Sequence, residues 1–363
     1  MKITCLKEEL LKKVVIASRL ATARATLPIL QNIYLEVRNN QLIIRSTDLE
    51  QTIEAAVEGR ETEDGRVTTP ARLLSDYLAN TNGDEIKLHN QDLSLTIKGS
   101  SAQATIVGAA AEDYPQLPPT KYPQPIKLEG SIVKEIITKT LLAASSADSQ
   151  PILNSLLWRF QDQSLTVVAT DGYRLASYRY HIKQELTGDY LIPRRAAGEL
   201  ERILVVDQPV SVAFAANQVK FSVNGVDLTT RLLEGTFPSF EAIIPTKKTI
   251  RLKMSAAALN QGLKTASLFS RDSAFSTKLT LTAKTLTITA VSASYGQSTN
   301  TLPVELEGEG DFSVSINALY LTEALNHLDG PIYLDFLEGT KPLVITSPNK
   351  GGYLYLVMPL RSE

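Results

Sequence analysis

Residues 42–48 read LIIRSTD, residues 165–171 read LTVVATD and residues 286–292 read LTITAVS. Asp48 and Asp171 are 123 residues apart, and Asp171 and Ser292 are 121 apart. The chain has 363 residues, enough for three units of that length. Solenoid and propeller repeats run to roughly 20–50 residues, so a unit of this size is a whole small domain. Repeated domains related by rotation tend to close rings.

Other landmarks keep the same register. Pro28 precedes Pro151 by 123 residues, and Ile33, Leu156 and Leu279 follow one another in steps of 123. Pro70 and Pro193 are again 123 apart, and Asn317 follows 124 residues later. Tyr114-Pro115 and Phe237-Pro238 repeat the 123-residue step.

Within each unit, helical and alternating patterns follow one order. Segments 7–24, 130–147 and 253–272 carry apolar residues at helical spacing, such as Leu10, Val14 and Ala17. Strand patterns come next, among them NIYLEV and QLIIRST, SLLWRF and SLTVVAT, KLTLTA and TLTITAV. A second helix is expected in ARLLSDYLAN, RRAAGELERIL and ALYLTEALNHL, and further strands end each unit. Helix, strands, helix, strands describes an α+β domain with both helices on one face of antiparallel sheet. PQLPPTKYPQP (115–125) holds five prolines in 11 residues and reads as a linker, with PSFEAIIPTKK (238–248) as its counterpart. The expected domains are therefore 1–120, 121–247 and 248–363.

Net charge is −2, but the charge is unevenly spread. The first helical segments hold ten basic residues, Lys7, Lys12, Lys13, Arg19, Arg24, Lys134, Lys139, Lys253, Lys264 and Arg271. Against these stand only Glu8, Glu9, Glu135 and Asp272, so the segments are six charges positive and the remainder eight negative. Such a distribution is either a set of solvated helix faces or a phosphate-contacting surface.

One cysteine, Cys5, excludes a disulfide framework and fits a reducing compartment. The charged start MKITCLKEELLKK is no secretion signal, and no apolar run reaches membrane-spanning length, so a cytoplasmic protein is expected. No constellation for catalysis emerges. His89, His181 and His327 occupy unrelated repeat positions, and HExxH, CxxC, GxxxxGK[ST] and GxSxG are absent. Asp48 and Asp171 have Ser292 as their third counterpart, which favours a turn-forming role over paired acids. A nuclease on a repeated scaffold would require an acidic or histidine metal cluster. A carbohydrate-binding adhesin would lack the basic bias. No metal or cofactor is expected.

ATDGYRLA (169–176), TLPIL (26–30) preceded by Arg24, and LVMPLR (356–361) together resemble the bacterial DNA polymerase III beta subunit family, the replicative sliding clamps. The resemblance spans the whole chain. It implies a ring of two three-domain chains joined head to tail, with helices lining the hole and sheets outside, and no catalysis. Double-stranded DNA would pass through the ring. Arg24 occupies a family DNA-contact position, with Arg72 and Gln150 as further carry-overs. Lys12, Lys13, Lys134, Lys139 and Lys264 would add phosphate contacts from the lining. Lysine and arginine contacts to phosphate attract without reading sequence, as a sliding ring requires. The loop SSADSQ before Pro151 departs from family members that carry tyrosines there.

The resemblance also implies a pocket for a short peptide of partner proteins. Its matching positions are Leu153, Thr170, Gly172, Tyr173, Arg174 and Leu175 in the second repeat, with Pro238 and Ile243 beyond it. The third repeat adds Asn317, Tyr320, Val357, Met358, Pro359, Leu360 and Arg361. On residue chemistry alone, ATDGYRLA is also a plain strand turn and LVMPLR an edge strand stopped by proline. Methionine and leucine supply adaptable apolar surface, arginines can hold acidic or backbone groups, and Gly172 permits close backbone approach. Tyr173 stands where some members carry histidine, and Ala242 where some carry a basic residue. Implied partners are the polymerase III catalytic subunit, the clamp loader, other polymerases, mismatch-repair proteins and ligase.

Overall fold

The alternating segments of all three repeats fold as antiparallel hairpins. The computed structural model describes residues 1–21, 27–116, 120–245, 250–308, 310–336, 341–348 and 352–360. Arg24 and Arg361 lie outside the described residues.

The first repeat runs β1 (Lys2–Leu6), α1 (Lys7–Ser18), β2 (Asn32–Arg38), β3 (Gln41–Thr47), β4 (Gln51–Glu58), β5 (Arg60–Glu63), β6 (Gly65–Pro70), α2 (Ala71–Asn80), β7 (Glu85–Gln91), β8 (Ser94–Lys98) and β9 (Gln103–Val107). The second follows as β10 (Ile126–Glu129), α3 (Gly130–Thr140), β11 (Ser155–Gln161), β12 (Ser164–Thr170), β13 (Arg174–His181), β14 (Gly188–Pro193), α4 (Arg194–Ile203), β15 (Pro209–Phe214), β16 (Gln218–Val223) and β17 (Val226–Arg231). The third comprises β18 (Ile250–Ser255), α5 (Ala256–Ser267), β19 (Ser276–Thr282), β20 (Thr285–Ser292), β21 (Gly296–Pro303), β22 (Glu305–Glu307), β23 (Phe312–Asn317), α6 (Ala318–Leu325), β24 (Pro331–Phe336), β25 (Leu343–Thr346) and β26 (Tyr353–Val357).

Packing divides the chain into two compact units: Met1–Val133 with Glu199–Leu232, and Lys134–Gly198 with Leu233–Glu363. The division cuts through the second repeat because its sheets are shared with its neighbours. In the first unit, β10-β15-β16-β17 continue into β4-β3-β2-β6 as one eight-stranded sheet. In the second, β14-β11-β12-β13 continue into β26-β25-β24-β18-β22 as a nine-stranded sheet. The remaining sheets, β5-β1-β7-β8-β9 and β21-β20-β19-β23, each belong to a single repeat.

Helices form where the apolar spacing changes from two to three or four. In α2, Ala71, Leu74 and Leu78 are fully buried on one face, and each leucine contributes roughly 1.5–3 kcal/mol by leaving water. Helix α2 packs on α1, and α6 on α5. Asn317 caps α6, its side chain accepting from the Leu319 amide at 2.9 Å. At Gly262 on α5 an added Cβ would lie 2.7 Å from Ile288 Cδ1, so glycine allows the helix to approach β20 closely.

The expected first helices are too long. Helix α1 ends at Ser18, and α3 gives way to a single 3₁₀ turn at Leu141–Ala143. Residues 250–254 alternate buried and half-exposed in strand β18, so Lys253 is a strand residue, paired with Glu305 at 2.9 Å. The third repeat also shifts by two residues. Ser276 pairs with Asn317 as Asn32 pairs with Pro70 and Ser155 with Pro193. Thr277, not Leu279, is therefore the counterpart of Ile33 and Leu156. A shift of two keeps the same face inward, and Thr277 and Leu279 are both buried.

Candidate functional site

The Thr-Asp pairs build turns. Asp171 Oδ1 accepts from the amides of Tyr173 at 2.9 Å and Arg174 at 3.0 Å. Thr170 Oγ1 donates to the Arg174 carbonyl at 2.6 Å and accepts from the Gly172 amide at 3.1 Å. Gly172 sits at φ +89°, with nothing within 4 Å of where a Cβ would be. This turn links β12 to β13 and leaves an open approach above its backbone.

The turn also aims Arg174. Its Nε donates to Asp171 Oδ2 at 3.0 Å, and its Nη1 donates to Glu323 on α6. The guanidinium lies 4.4 Å from the centroid of the Tyr320 ring. Burial works against the charge of Arg174, but Tyr355 and Glu323 outweigh it and hold the group above its ordinary range. Burial also raises the Tyr320 hydroxyl, so both groups keep their usual protonation near neutrality.

Beside this cluster lies an open cavity of about 530 Å³. Its lining brings together Tyr173, Arg174 and Tyr320 from the expected pocket, with Gln150, which was expected at DNA. Asp171, Arg194, Glu323, Leu142 and residues 144–147 complete it. None of these additional residues was expected: Asp171 lies inside ATDGYRLA but reads as a turn former, and the neighbourhoods of Arg194 and Glu323 carry no sign of the cavity. Buried polar chemistry marks Arg194, whose Nε has no hydrogen-bond partner among the described residues.

The apolar half of the expected pocket is a core cluster. Leu157, Val168, Leu175, Leu191, Phe237, Phe240, Val344 and Leu356 pack together, with Ile152, Leu233, Ile244, Leu354 and Met358 at its margin. Leu175 and Val357 are 1% and 0% exposed, so they form the floor and offer no contact surface themselves. Exposed apolar surface instead comes from Ile243 and Tyr173, with Met358, Pro359 and Leu360 half-buried and Pro238 exposed. Leu153 is half-buried, its carbonyl accepting from Ser145 at 2.9 Å. Residues 358 and 360 tie two sheets together. Met358 N donates to the Tyr173 carbonyl and Leu360 N to the Ser315 carbonyl, both at 2.8 Å.

The expected DNA-contacting residues are not equivalent. Lys13 is buried and donates to the Asn224 carbonyl of the β16–β17 turn, and burial lowers its pKa. Lys139 is buried too, bonded to Glu135 at 2.7 Å and lying 5.2 Å and 5.8 Å from the ring centroids of Tyr353 and Tyr178. Both expectations are corrected: long lysine stems on amphipathic helices have been drawn into the protein. Lys12 is exposed beside Glu8 at 2.7 Å and Glu9 at 3.3 Å. Arg72 is exposed, 3.7 Å from Asp76; Lys134 is half-buried and Lys264 exposed. Burial pushes the Cys5 thiol up to about 12, which leaves it unreactive. Among the described residues, no group of three or more His, Cys, Asp or Glu could hold a metal, and no helix is long and apolar enough to cross a membrane.

Residues 1–118, 127–239 and 241–361 match the models of the N-terminal, central and C-terminal domains of the DNA polymerase III beta subunit. The beta sliding clamp of Staphylococcus epidermidis is 27% identical over 352 residues, covering 93% of each chain. The DNA polymerase III beta subunit structure from Thermotoga maritima gives a TM-score of 0.94 at 25% identity over the whole of both chains. A Pseudomonas aeruginosa sliding clamp bound to griselimycin gives 0.95 at 24%, again over both whole chains.

Proposed function

Since the chain belongs to the DNA polymerase III beta subunit family, the non-catalytic sliding clamps of the replicative holoenzyme, we propose that two copies close head to tail around duplex DNA. The three domains are those of residues 1–120, 121–247 and 248–363. The ring works in the bacterial cytoplasm, on the nucleoid. It tethers the polymerase catalytic subunit and other DNA-handling proteins through the pocket around Tyr173, Arg174, Ile243, Tyr320 and Met358, and it is placed on DNA by a clamp loader. Griselimycin, bound by the Pseudomonas clamp, is a ligand for this chain as well.

One observation carries the ring. Consecutive repeats join by the same strand pairing. Thr230 pairs with Gln51 where β17 meets β4, and Val357 pairs with Arg174 where β26 meets β13. The last strand of each of the later repeats thus pairs with the turn-following strand of the repeat before it. Two strands of these kinds remain at sheet edges: β9, last of the first repeat, and β21, turn-following strand of the third. They are complementary parts of one missing junction, and only another copy can supply it. Such heterologous pairing closes a ring if the rotation allows and otherwise grows a filament.

The ladders predict the register. Ile106 holds in β9 the place of Thr230, and Gly296 holds in β21 the place of Gln51 and Arg174. Ile106 would then face Gly296 of the second copy, and Thr105 would face its Gln297. The β21 edge is largely polar, whereas β9 reads QATIV with Val107 exposed, so backbone hydrogen bonds carry the contact with a small apolar contribution from β9.

Phosphate attraction falls to the exposed Lys12, Arg72 and Lys264, with Arg24 as the family position. Topological closure permits those contacts to stay weak and salt-sensitive. The test is a chain carrying T105C and Q297C, oxidised and run under denaturing conditions. A closed dimer gives crosslinked species no larger than two chains. A ladder of longer products refutes closure, and monomer alone refutes the register.

A further inference from the structure

We propose that Arg159 is the positioning residue that holds the 238–245 wall of the partner pocket; this rests on the pocket reading above. Segment 238–245 contains no helix or strand. Its local hydrogen bonds are few, from the Ile243 amide to the Phe240 carbonyl at 3.1 Å and from the Ile244 amide to the Glu241 carbonyl at 3.2 Å. Yet it presents Ile243 to solvent beside Phe240, which packs in the cluster containing Leu175 and Met358. A wall of this kind needs an anchor on something rigid.

Arg159 supplies it from β11, a strand paired on both sides. Its Nε and Nη2 grip the two carboxylate oxygens of Asp189 at 2.8 Å and 2.7 Å, the bidentate geometry that only a guanidinium offers. That grip leaves Nη1 pointing at the loop, where it donates to Glu241. The same guanidinium lies 5.3 Å from the centroid of the Phe240 ring. Phe240 in turn meets Phe237 edge-on at 6.5 Å. The Asp189 hydrogen bonds raise the Arg159 pKa further, with burial opposing, so the anchor is charged at every working pH. Arg159 does not line the cavity beside Arg174 and acts only through Glu241 and Phe240.

The probe is griselimycin, titrated calorimetrically into the wild-type chain, R159A and R159K. Loss of an exposed ion pair and a cation–π contact weakens R159A about tenfold, equivalent to roughly 1.4 kcal/mol. R159K keeps charge without the fork and falls between. Amide exchange at 241–244 quickens in R159A, and raised salt weakens the wild type more than the variant. Unchanged exchange in R159A overturns the anchor, whatever the ligand does. Faster exchange with unchanged affinity shows that the loop is no wall of the pocket, and also overturns the proposal. A wild-type chain that fails to bind griselimycin removes the pocket reading instead, while the exchange comparison still decides the anchor.

Discussion

The turn at Asp48 and the turn at Asp171 are the same backbone with different side chains. Asp48 Oδ1 accepts from the amides of Glu50 at 3.1 Å and Gln51 at 2.7 Å, as Asp171 does from Tyr173 and Arg174. Thr47 repeats the bonds of Thr170, donating to the Gln51 carbonyl at 2.7 Å and accepting from Leu49 at 3.0 Å. Even the left-handed residue recurs, at φ 78° for Leu49 and 89° for Gly172. The first repeat, however, puts exposed Leu49 where the second leaves open space, and buried Gln51 where the second has Arg174. Duplication supplied the scaffold of the turn. Three substitutions on it, Leu49 to Gly172, Glu50 to Tyr173 and Gln51 to Arg174, separate a plain junction from the proposed binding site.

The strongest way to break the comparison is at its charged position. Arg174→Ala leaves Asp171 and Glu323 without their shared partner in a site where the arginine side chain is 11% exposed. It should cost about 3 kcal/mol in chemical denaturation and abolish griselimycin binding. Gln51→Ala, at the matching place in the first repeat, should cost about 1 kcal/mol and leave griselimycin binding intact. Equal losses at the two positions would mean that the Arg174 cluster has no special energetic role.

A smaller contrast lies in the acids. Asp48→Ala removes an acceptor from two backbone amides and should cost about 1 kcal/mol in the same measurement. Asp171→Ala removes the same two bonds and one of the carboxylates holding Arg174, and should cost about 2 kcal/mol. If Asp48→Ala is the costlier change, the ion pair adds nothing to the turn.

These turns were legible because their logic is local. A threonine and an aspartate ending an alternating strand announce backbone capping without any knowledge of distant residues. The hairpins were legible for the same reason, and the two-residue error at Leu279 survived only because Thr277 shares its inward face. Charge was less legible. Lys253 alternates with Leu252 and Met254 as a strand residue should, yet the helical segment 253–272 takes it in. Lys13 and Lys139 look like surface lysines until the Asn224 carbonyl and the Tyr178–Tyr353 pair reveal where their stems go. The cavity was visible in part through ATDGYRLA, and the apolar cluster through LVMPLR. Glu323 and Arg194 reach the cavity from other segments of the chain, as Phe237 and Phe240 reach the apolar cluster, and no spacing rule connects them.

The smallest expected effects carry opposite signs, which makes them the most discriminating. Gly172 occupies a left-handed conformation that glycine adopts freely and alanine does not, so Gly172→Ala should destabilise by about 1 kcal/mol. Leu49 already bears that strain, and Leu49→Gly should relieve it, with the greater entropy of an unfolded glycine offsetting part of the gain. The net is a stabilisation of about half a kcal/mol, read as a small rise in denaturation midpoint. Griselimycin binding separates the two again: a methyl at residue 172 protrudes into the open approach above the turn and weakens it, whereas Leu49→Gly leaves it unchanged. If Leu49→Gly destabilises instead, the leucine's contacts outweigh its backbone strain, and the two turns are alike in hydrogen bonding but not in conformational cost.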